Sequence, residues 1–379
     1  PTNLTYLCLV VSRRGIPMNL NNIFLKSFRV LLLPFAILYG WIVTLRNWMY
    51  AKKYLKSVHF NLPIICVGNL SLGGTGKSPM VEHLLSILSN EYKTATLSRG
   101  YKRKTKGYAL AGDQTTALEI GDEPMQFHLK FPKVGVAVGE RRIEAIPQLI
   151  QDIPDLQTVI LDDAFQHREI DAHFSILLTE YDNLYCDDFF FPTGDLRDER
   201  KSAKRANIIV VTKCPIDMTE EDRAEVLEKL YPAQHQSVFF TAIAYETPYH
   251  IYNPADQWVL TMRDEVLLVC GIANPIPLKN YLHEHTHTYY QLSYSDHHIF
   301  SIEDLNDIRN KFEQINAKSK LILTTEKDAV RLVKYTNELN DIPLYVLPIK
   351  PFFLFNQATE FNQLVIDFVA QYHTQTNEQ

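Results

Sequence analysis

The residues Gly73-Gly74-Thr75-Gly76-Lys77-Ser78 carry the strongest chemical signal in the chain. Small residues let backbone N–H groups curl around phosphate oxygens, and a helix starting just after them adds the positive end of its dipole. Lys77 is placed to meet the β- and γ-phosphates, and the Ser78 hydroxyl to ligate Mg²⁺. The match to G-x-x-x-x-G-K-[ST] departs at its first position, where Ser71 stands. Such a loop needs a second metal contact, usually an acid ending a hydrophobic strand. Thr158-Val159-Ile160-Leu161-Asp162-Asp163 supplies one. Val210-Val211-Thr212-Lys213-Cys214-Pro215 resembles a guanine-reading segment, but Pro215 takes the place of its specificity acid. The base is therefore expected to be that of ATP rather than GTP.

Other candidates are less specific. Gly121-Asp122-Glu123-Pro124 reads equally well as a helix N-terminus capped by Asp122 or as a carboxylate base for a substrate hydroxyl. Ser295-Asp296-His297-His298 precedes a capped helix, where a loop histidine is more often a capping or surface group than a catalyst. His283, His285 and His287 alternate as on an exposed strand face, and metal binding there is not expected. Arg99, Lys102, Arg103, Lys104 and Lys106 surround Tyr101 and fit phosphate or anionic lipid as well as a solvated charge run.

The elements that must position these groups are legible as alternating apolar runs and helical spacings. Residues 63–73 are a largely apolar run feeding the glycine loop, and Val81, Leu84, Leu85 and Leu88 follow at helical spacing with Pro79 in the first turn. Further strands are expected at Thr94–Leu97, Val134–Val138, Val159–Leu161, Ser175–Leu178 and Ile208–Thr212. Strands alternating with helices predict an α/β fold, a mostly parallel sheet covered on both faces. After about Ala242 the texture changes: Val266–Cys270 and Leu321–Thr324 read as strands, and Ser301–Asp304 as a capping box opening a helix to about Asn316.

At 379 residues the chain can hold two domains. A net charge of −6 gives no basic field for nucleic acid, and five scattered cysteines without a C-x-x-C pair imply reduced thiols. The compositional anomaly is Val30–Leu45, an uncharged run broken by Pro34 and flanked by Lys26, Arg29, Arg46, Lys52 and Lys53, with Trp41, Trp48, Tyr50 and Tyr54 toward its trailing end. As a helix it would measure roughly 24 Å, short of a ~30 Å hydrocarbon core, which favours an interfacial or partly inserted anchor over a buried helix. Met18 sits upstream of it, so residues 1–17 are expected to be a non-functional leader. The expected layout is 18–57 for the membrane-associating helix, 58–242 for the P-loop core, 243–372 for a smaller α/β lobe and 373–379 for a disordered tail.

Taken in order, these segments resemble the tetraacyldisaccharide 4′-kinase family. The match is carried by Val67-Gly68-Asn69-Leu70 with the glycine loop through Pro79, Ser98-Arg99-Gly100-Tyr101, Gly121-Asp122-Glu123-Pro124, Leu161-Asp162-Asp163-Ala164-Phe165-Gln166-His167, Gly194-Asp195-Leu196-Arg197, Asp296-His297-His298 and Thr325-Glu326-Lys327-Asp328. The resemblance implies a peripheral inner-membrane enzyme of a Gram-negative bacterium that moves the γ-phosphate of ATP onto the 4′-hydroxyl of a tetraacylated glucosamine disaccharide 1-phosphate. It also implies two lobes joined by a β-ribbon, with no obligate protein partner. Lys77 and Ser78 would hold phosphates and Mg²⁺, Asp162 and Asp163 the metal, and Gln166 and His167 would line the same site. Asp122 would be the base, tuned by His297 with Glu123 beside it, and Arg99, Tyr101, Arg142 and Arg197 would lie near phosphate or substrate. Departures are Ser71, Ala164 where the family has Gly, and Asp198-Glu199 where Glu-Pro is usual. The rival reading is a membrane-associated P-loop ATPase without a lipid acceptor.

Overall fold

A computed structural model describes residues 29–377. Eight strands build most of the first sheet: β1 (Ile64–Asn69), β2 (Thr94–Ser98), β3 (Ala109–Leu110), β4 (Gly135–Val138), β5 (Thr158–Asp162), β6 (Phe174–Glu180), β7 (Ile208–Thr212) and β8 (Ser237–Tyr245). A smaller sheet holds β9 (Tyr249–His250), β10 (Asn253–Gln257), β11 (Glu265–Cys270), β12 (Thr288–Ser293), β13 (Lys320–Thr325) and β14 (Leu344–Leu347), and β15 (Ile349–Phe353) returns to the first. The large sheet runs β15-β8-β7-β6-β1-β5-β2-β4-β3. From β4 through β8 every pairing is parallel, and β3 and β15 close the edges antiparallel.

Parallel strands covered on both faces must be apolar on both, and β1 shows why its run is unbroken. Ile64 and Cys66 pack into one core with Leu97, Leu161 and Val211, while Ile65 and Val67 pack into the opposite one with Leu84, Leu85 and Phe127. β1 lies between β5 and β6, with its C-terminal end opening into the glycine loop. Ligands of open α/β sheets gather at the carboxyl ends of the strands, where neighbouring connections diverge.

The helices are α1 (Leu33–Ala51), α2 (Lys77–Leu88), α3 (Ala117–Ile120), α4 (Asp122–Lys130), α5 (Arg142–Asp152), α6 (Glu220–Leu230), α7 (Ile276–His285), α8 (Ile302–Glu313), α9 (Glu326–Leu332), α10 (Thr336–Leu339) and α11 (Ala358–Asn377). Ser301 does open α8 with a capping box to Asp304. His283 and His285, read from sequence as strand residues, end α7 instead. Their two-residue spacing mimicked strand alternation, but both are exposed as expected.

The second lobe is shorter than the sequence indicated. β8 leads the chain out of the first sheet and β15 brings it back, paired antiparallel from Tyr245↔Ile349 to Thr241↔Phe353, which forms a two-stranded connection between lobes. Residues 349–372, assigned to the second lobe from sequence, therefore belong to the first. Phe361, Val365 and Val369 of α11 are fully buried there beside Leu84, Leu85 and Phe239. The expected tail is also ordered helix as far as Asn377: the Tyr372 hydroxyl donates to the Phe60 carbonyl at 3.1 Å, and His373 Nε2 lies 3.0 Å from the Gln157 carbonyl.

In α1, Ala36, Gly40, Val43 and Asn47 face the protein, while Phe35, Leu38, Trp41, Ile42 and Leu45 are exposed. Gly40 is required by contact, since a Cβ there would meet the Phe190 ring at 2.7 Å. Asn47 Nδ2 donates to Asp198 at 2.7 Å and Glu199 at 2.9 Å, so these two acids, the family departure noted above, anchor this helix. Among the described residues no helix is long and apolar enough to cross a membrane. The proposed leader, 1–17, lies outside the described residues.

Candidate active site

The glycine loop turns at Gly73 (φ 112°) and Gly76 (φ 80°), left-handed conformations that favour glycine, and Gly76 then caps α2. Thr212, at the end of β7, ties the loop down by donating from its hydroxyl to the Thr75 carbonyl at 3.0 Å. Lys213, next in the segment that resembled a guanine reader, is paired with Glu180 at 2.7 Å.

The parallel register of β1 and β5 sets Val67 opposite Asp162, which brings the strand-end acids beside the loop. Lys77 Nζ lies 3.7 Å from Asp163 and 3.4 Å from Asn69 Oδ1. Arg197 grips the Asp163 carboxylate with both terminal nitrogens and shares one of them with Asn69 Oδ1. Burial works to raise Asp163, but the Arg197 hydrogen bonds and the Lys77 charge hold its carboxyl down at about 2. Asp162 is pushed the other way, up to about 7, by burial and by the negative charges of Glu123 and Asp163. One of its oxygens accepts from Ser98 Oγ at 3.2 Å, while Oδ1 is buried without a hydrogen-bond partner, as is Thr75 Oγ1. Buried polar atoms without partners are rare and mark places built for something else to bind.

Gln166 donates to the Asn69 carbonyl at 2.6 Å, and its own carbonyl accepts from Arg46 of α1. His167 is pushed down to about 4 by burial and by the charges of Arg142 and Arg99. Arg142, placed near substrate or phosphate by the sequence reading, is fully buried. It donates to the Asp162 carbonyl at 3.0 Å, supporting the strand end from behind rather than facing a ligand. Arg99 and Tyr101 are exposed on the turn after β2.

Asp122 is the first residue of α4, and Gly121 rather than Asp122 is the N-cap. Its side chain is almost wholly buried at the lobe boundary, where His297 Nδ1 lies 2.5 Å from Oδ2. The two come together although 175 positions separate them. Arg331, on α9, adds a bidentate grip, Nε to Oδ1 and Nη2 to Oδ2, each at 2.7 Å. Burial opposes ionisation of Asp122, but the hydrogen bonds from His297 and Arg331 prevail and hold its carboxyl below the usual value. Sequence reasoning missed Arg331 and Asn69. Asn69 was signalled, without a role, by the Val67-Gly68-Asn69-Leu70 motif that ends β1, and Arg331 by nothing local.

A parallel α/β sheet whose central strand feeds a glycine loop, with lysine and paired acids at the carboxyl edge, defines a P-loop nucleotide-binding enzyme in two lobes. The family model for tetraacyldisaccharide-1-P 4′-kinase matches residues 28–370. The chain belongs to that family. It is 46% identical to the tetraacyldisaccharide 4′-kinase of Flavobacterium johnsoniae over 92% of this chain and 99% of that one. It is 42% identical to the protein of the same name from Bacteroides thetaiotaomicron over 90% and 93%. Among solved structures it resembles LpxK from Aquifex aeolicus in complex with ATP, at 25% identity and a TM-score of 0.71 over 90% of this chain and 99% of that one.

Proposed function

We propose that this chain transfers the γ-phosphate of ATP to the 4′-hydroxyl of a tetraacylated glucosamine disaccharide 1-phosphate in lipid A biosynthesis. The observation that carries the reading is the seating of the Asp162–Asp163 strand end against Lys77 of the glycine loop. Phosphoryl transfer depends on positioning and charge more than on covalent chemistry, because the transition state is loose and highly charged. In this state Lys77 and Arg197 both lean on Asp163, and they are the cations that phosphate oxygens of ATP would draw on. Gly73, Gly74, Thr75 and Gly76 would cradle the phosphates through their backbone.

The site fits Mg²⁺ held mainly through substrate phosphates and one or two carboxylates. The unpartnered Asp162 Oδ1 supports that fit, and Ser78, Asp162 and Asp163 would hold the ion. When bound, the ion neutralises charge on the phosphate oxygens. The Asp122–His297 pair would take the proton of the acceptor hydroxyl, and Arg99, Tyr101, Glu123, Gln166 and His167 would border nucleotide or sugar phosphate. The exposed face of α1, with Trp41 and Trp48 and with Lys52 and Lys53 after it, fits the headgroup layer at the cytoplasmic face of an inner membrane.

The test is transfer of labelled γ-phosphate from ATP to a diglucosamine lipid 1-phosphate in detergent, with Lys77→Ala as control. Labelled lipid that disappears in the control is the expected result. ATP hydrolysis at the same rate with and without lipid would favour an ATPase instead.

A further inference from the structure

We propose that Arg331 is a positioning residue of this kinase: reaching from the second lobe, it holds Asp122 side-on and supports the His297 backbone, so that the proton-accepting pair exists only while the lobes are docked. The inference rests on the proposed kinase reading and assigns a role to a residue that reading does not use. Asp122 belongs to the first lobe, whereas His297 and Arg331 belong to the second. The three side chains are nearly sealed from solvent. The guanidinium spends two nitrogens on the carboxylate, and the third, Nη1, bonds to the carbonyls of His297 and His298. His297 has φ 63°, a left-handed backbone that a non-glycine residue adopts at a cost, and Arg331 donates to that residue's own carbonyl. One group thus fixes both halves of the pair.

A planar fork suits this task where a single ammonium does not, because only the fork meets both carboxylate oxygens and still reaches a carbonyl. The carboxylate keeps acceptor capacity on Oδ1, which takes one donor from Arg331, while Oδ2 takes two. The hold is reinforced at the far end of the same two helices. Lys130, the last residue of α4, pairs with Glu326, the first of α9, at 2.6 Å and with Glu82 of α2 at 2.7 Å. The charged and titratable groups facing the pair are Tyr101 with its ring 6.0 Å from His297, Asp296 at 3.6 Å from His297 Nε2, Lys327 on Asp296 at 2.8 Å, and Lys334 on the wall of the adjoining cavity. Arg331 is the cation among them that bonds directly to Asp122. Its charge favours the ionised carboxylate, so removing it raises the pH below which the carboxylate is protonated and useless as an acceptor.

The experiment compares Arg331→Met, Arg331→Lys and Glu326→Gln with the wild-type enzyme in the labelled-phosphate assay across pH, with thermal unfolding recorded for each. In Arg331→Met, kcat is expected to fall on the order of 100-fold, within the range of lost acid–base catalysis, while KM for ATP stays within about 3-fold. The acid limb of its pH–rate profile moves to higher pH. Arg331→Lys recovers part of kcat and shifts the limb less. Glu326→Gln weakens the Lys130 pair at the far end of α9, keeps the Arg331 fork on Asp122 and leaves the limb in place. An unmoved acid limb in Arg331→Met, or an equal shift in Glu326→Gln, would overturn the proposal. Should Arg331→Met not fold, an unmoved limb in Arg331→Lys overturns it equally. Absence of transfer in the wild-type enzyme would instead sink the kinase reading itself.

Discussion

Arg197 illustrates how much of the site rests on single side chains. Its guanidinium bridges Asp163 and Asn69, the ends of two adjacent strands, and the Tyr39 hydroxyl of α1 donates to its carbonyl at 3.0 Å. Replacing it with methionine removes a cation aimed at the phosphates and frees Asp163 to hold Lys77 more tightly. Loss of one such electrostatic group typically costs about 10²–10³ in kcat. Arg197→Met is expected to fall in that range in steady-state transfer assays, and an unchanged kcat would remove Arg197 from phosphate handling. At this scale the sequence spoke unevenly. Lys77, Ser78, Asp162 and Asp163 were legible because a strand end and a glycine loop are local patterns. The Asp122–Arg331 contact was not, because it spans 209 positions and depends on how two lobes meet.

At the scale of elements, α1 is held on its inner face by a polar clasp at Asn47 as well as by the packing of Ala36, Gly40 and Val43. Asn47→Leu would take one buried donor from Asp198, which keeps Ser202 and Arg205, and one from Glu199, which keeps Thr44 and Lys201, at about 1–3 kcal/mol for lost hydrogen bonds to charged groups. A lowered unfolding temperature and faster proteolysis near residue 47 are expected, and an unaltered melt would show that the clasp contributes little. A second element-level prediction concerns His173, the residue before β6, whose Nδ1 accepts from the Ile64 backbone N–H at 3.2 Å. Burial and the neighbouring His59 push this imidazole down to about 4, below the usual 6.5 of an exposed histidine. The unfolded chain therefore binds the proton first, so stability is full above pH 6.5 and declines as pH falls toward 4. His173→Gln should flatten that decline in thermal melts across this window. An equally steep fall in the variant would assign it to other groups. Core strands were readable from apolar runs because parallel strands bury both faces. The return of β15 and α11 to the first sheet was not, since β15 finds its partner strand more than a hundred residues upstream and nothing local records the pairing.

For the whole molecule, the exposed apolar side of α1 and the phosphate-binding loop lie near one another, because the Leu72 N–H donates to the Asp195 carbonyl while Arg29 pairs with the Asp195 side chain. A lipid bilayer against α1 would bring a lipid-borne hydroxyl close to the strand ends. Trp41, 75% exposed, is the most informative probe of that arrangement. Withdrawing one large apolar side chain from lipid costs roughly 1.5–3 kcal/mol, so Trp41→Glu should weaken sedimentation with anionic phospholipid vesicles by about 10-fold or more. Activity on detergent-dispersed substrate should stay near normal, and unchanged vesicle binding would place the membrane contact elsewhere. What this site does is defined by where the phosphate goes. Mass-spectrometric fragmentation of the product from a single turnover with ATP and a diglucosamine lipid 1-phosphate locates it directly. One new phosphate on the distal sugar at the 4′ position, formed by the wild-type chain and missing with Lys77→Ala, is the expected result. A phosphate on any other hydroxyl, or ATP consumed with the lipid unmodified, contradicts it.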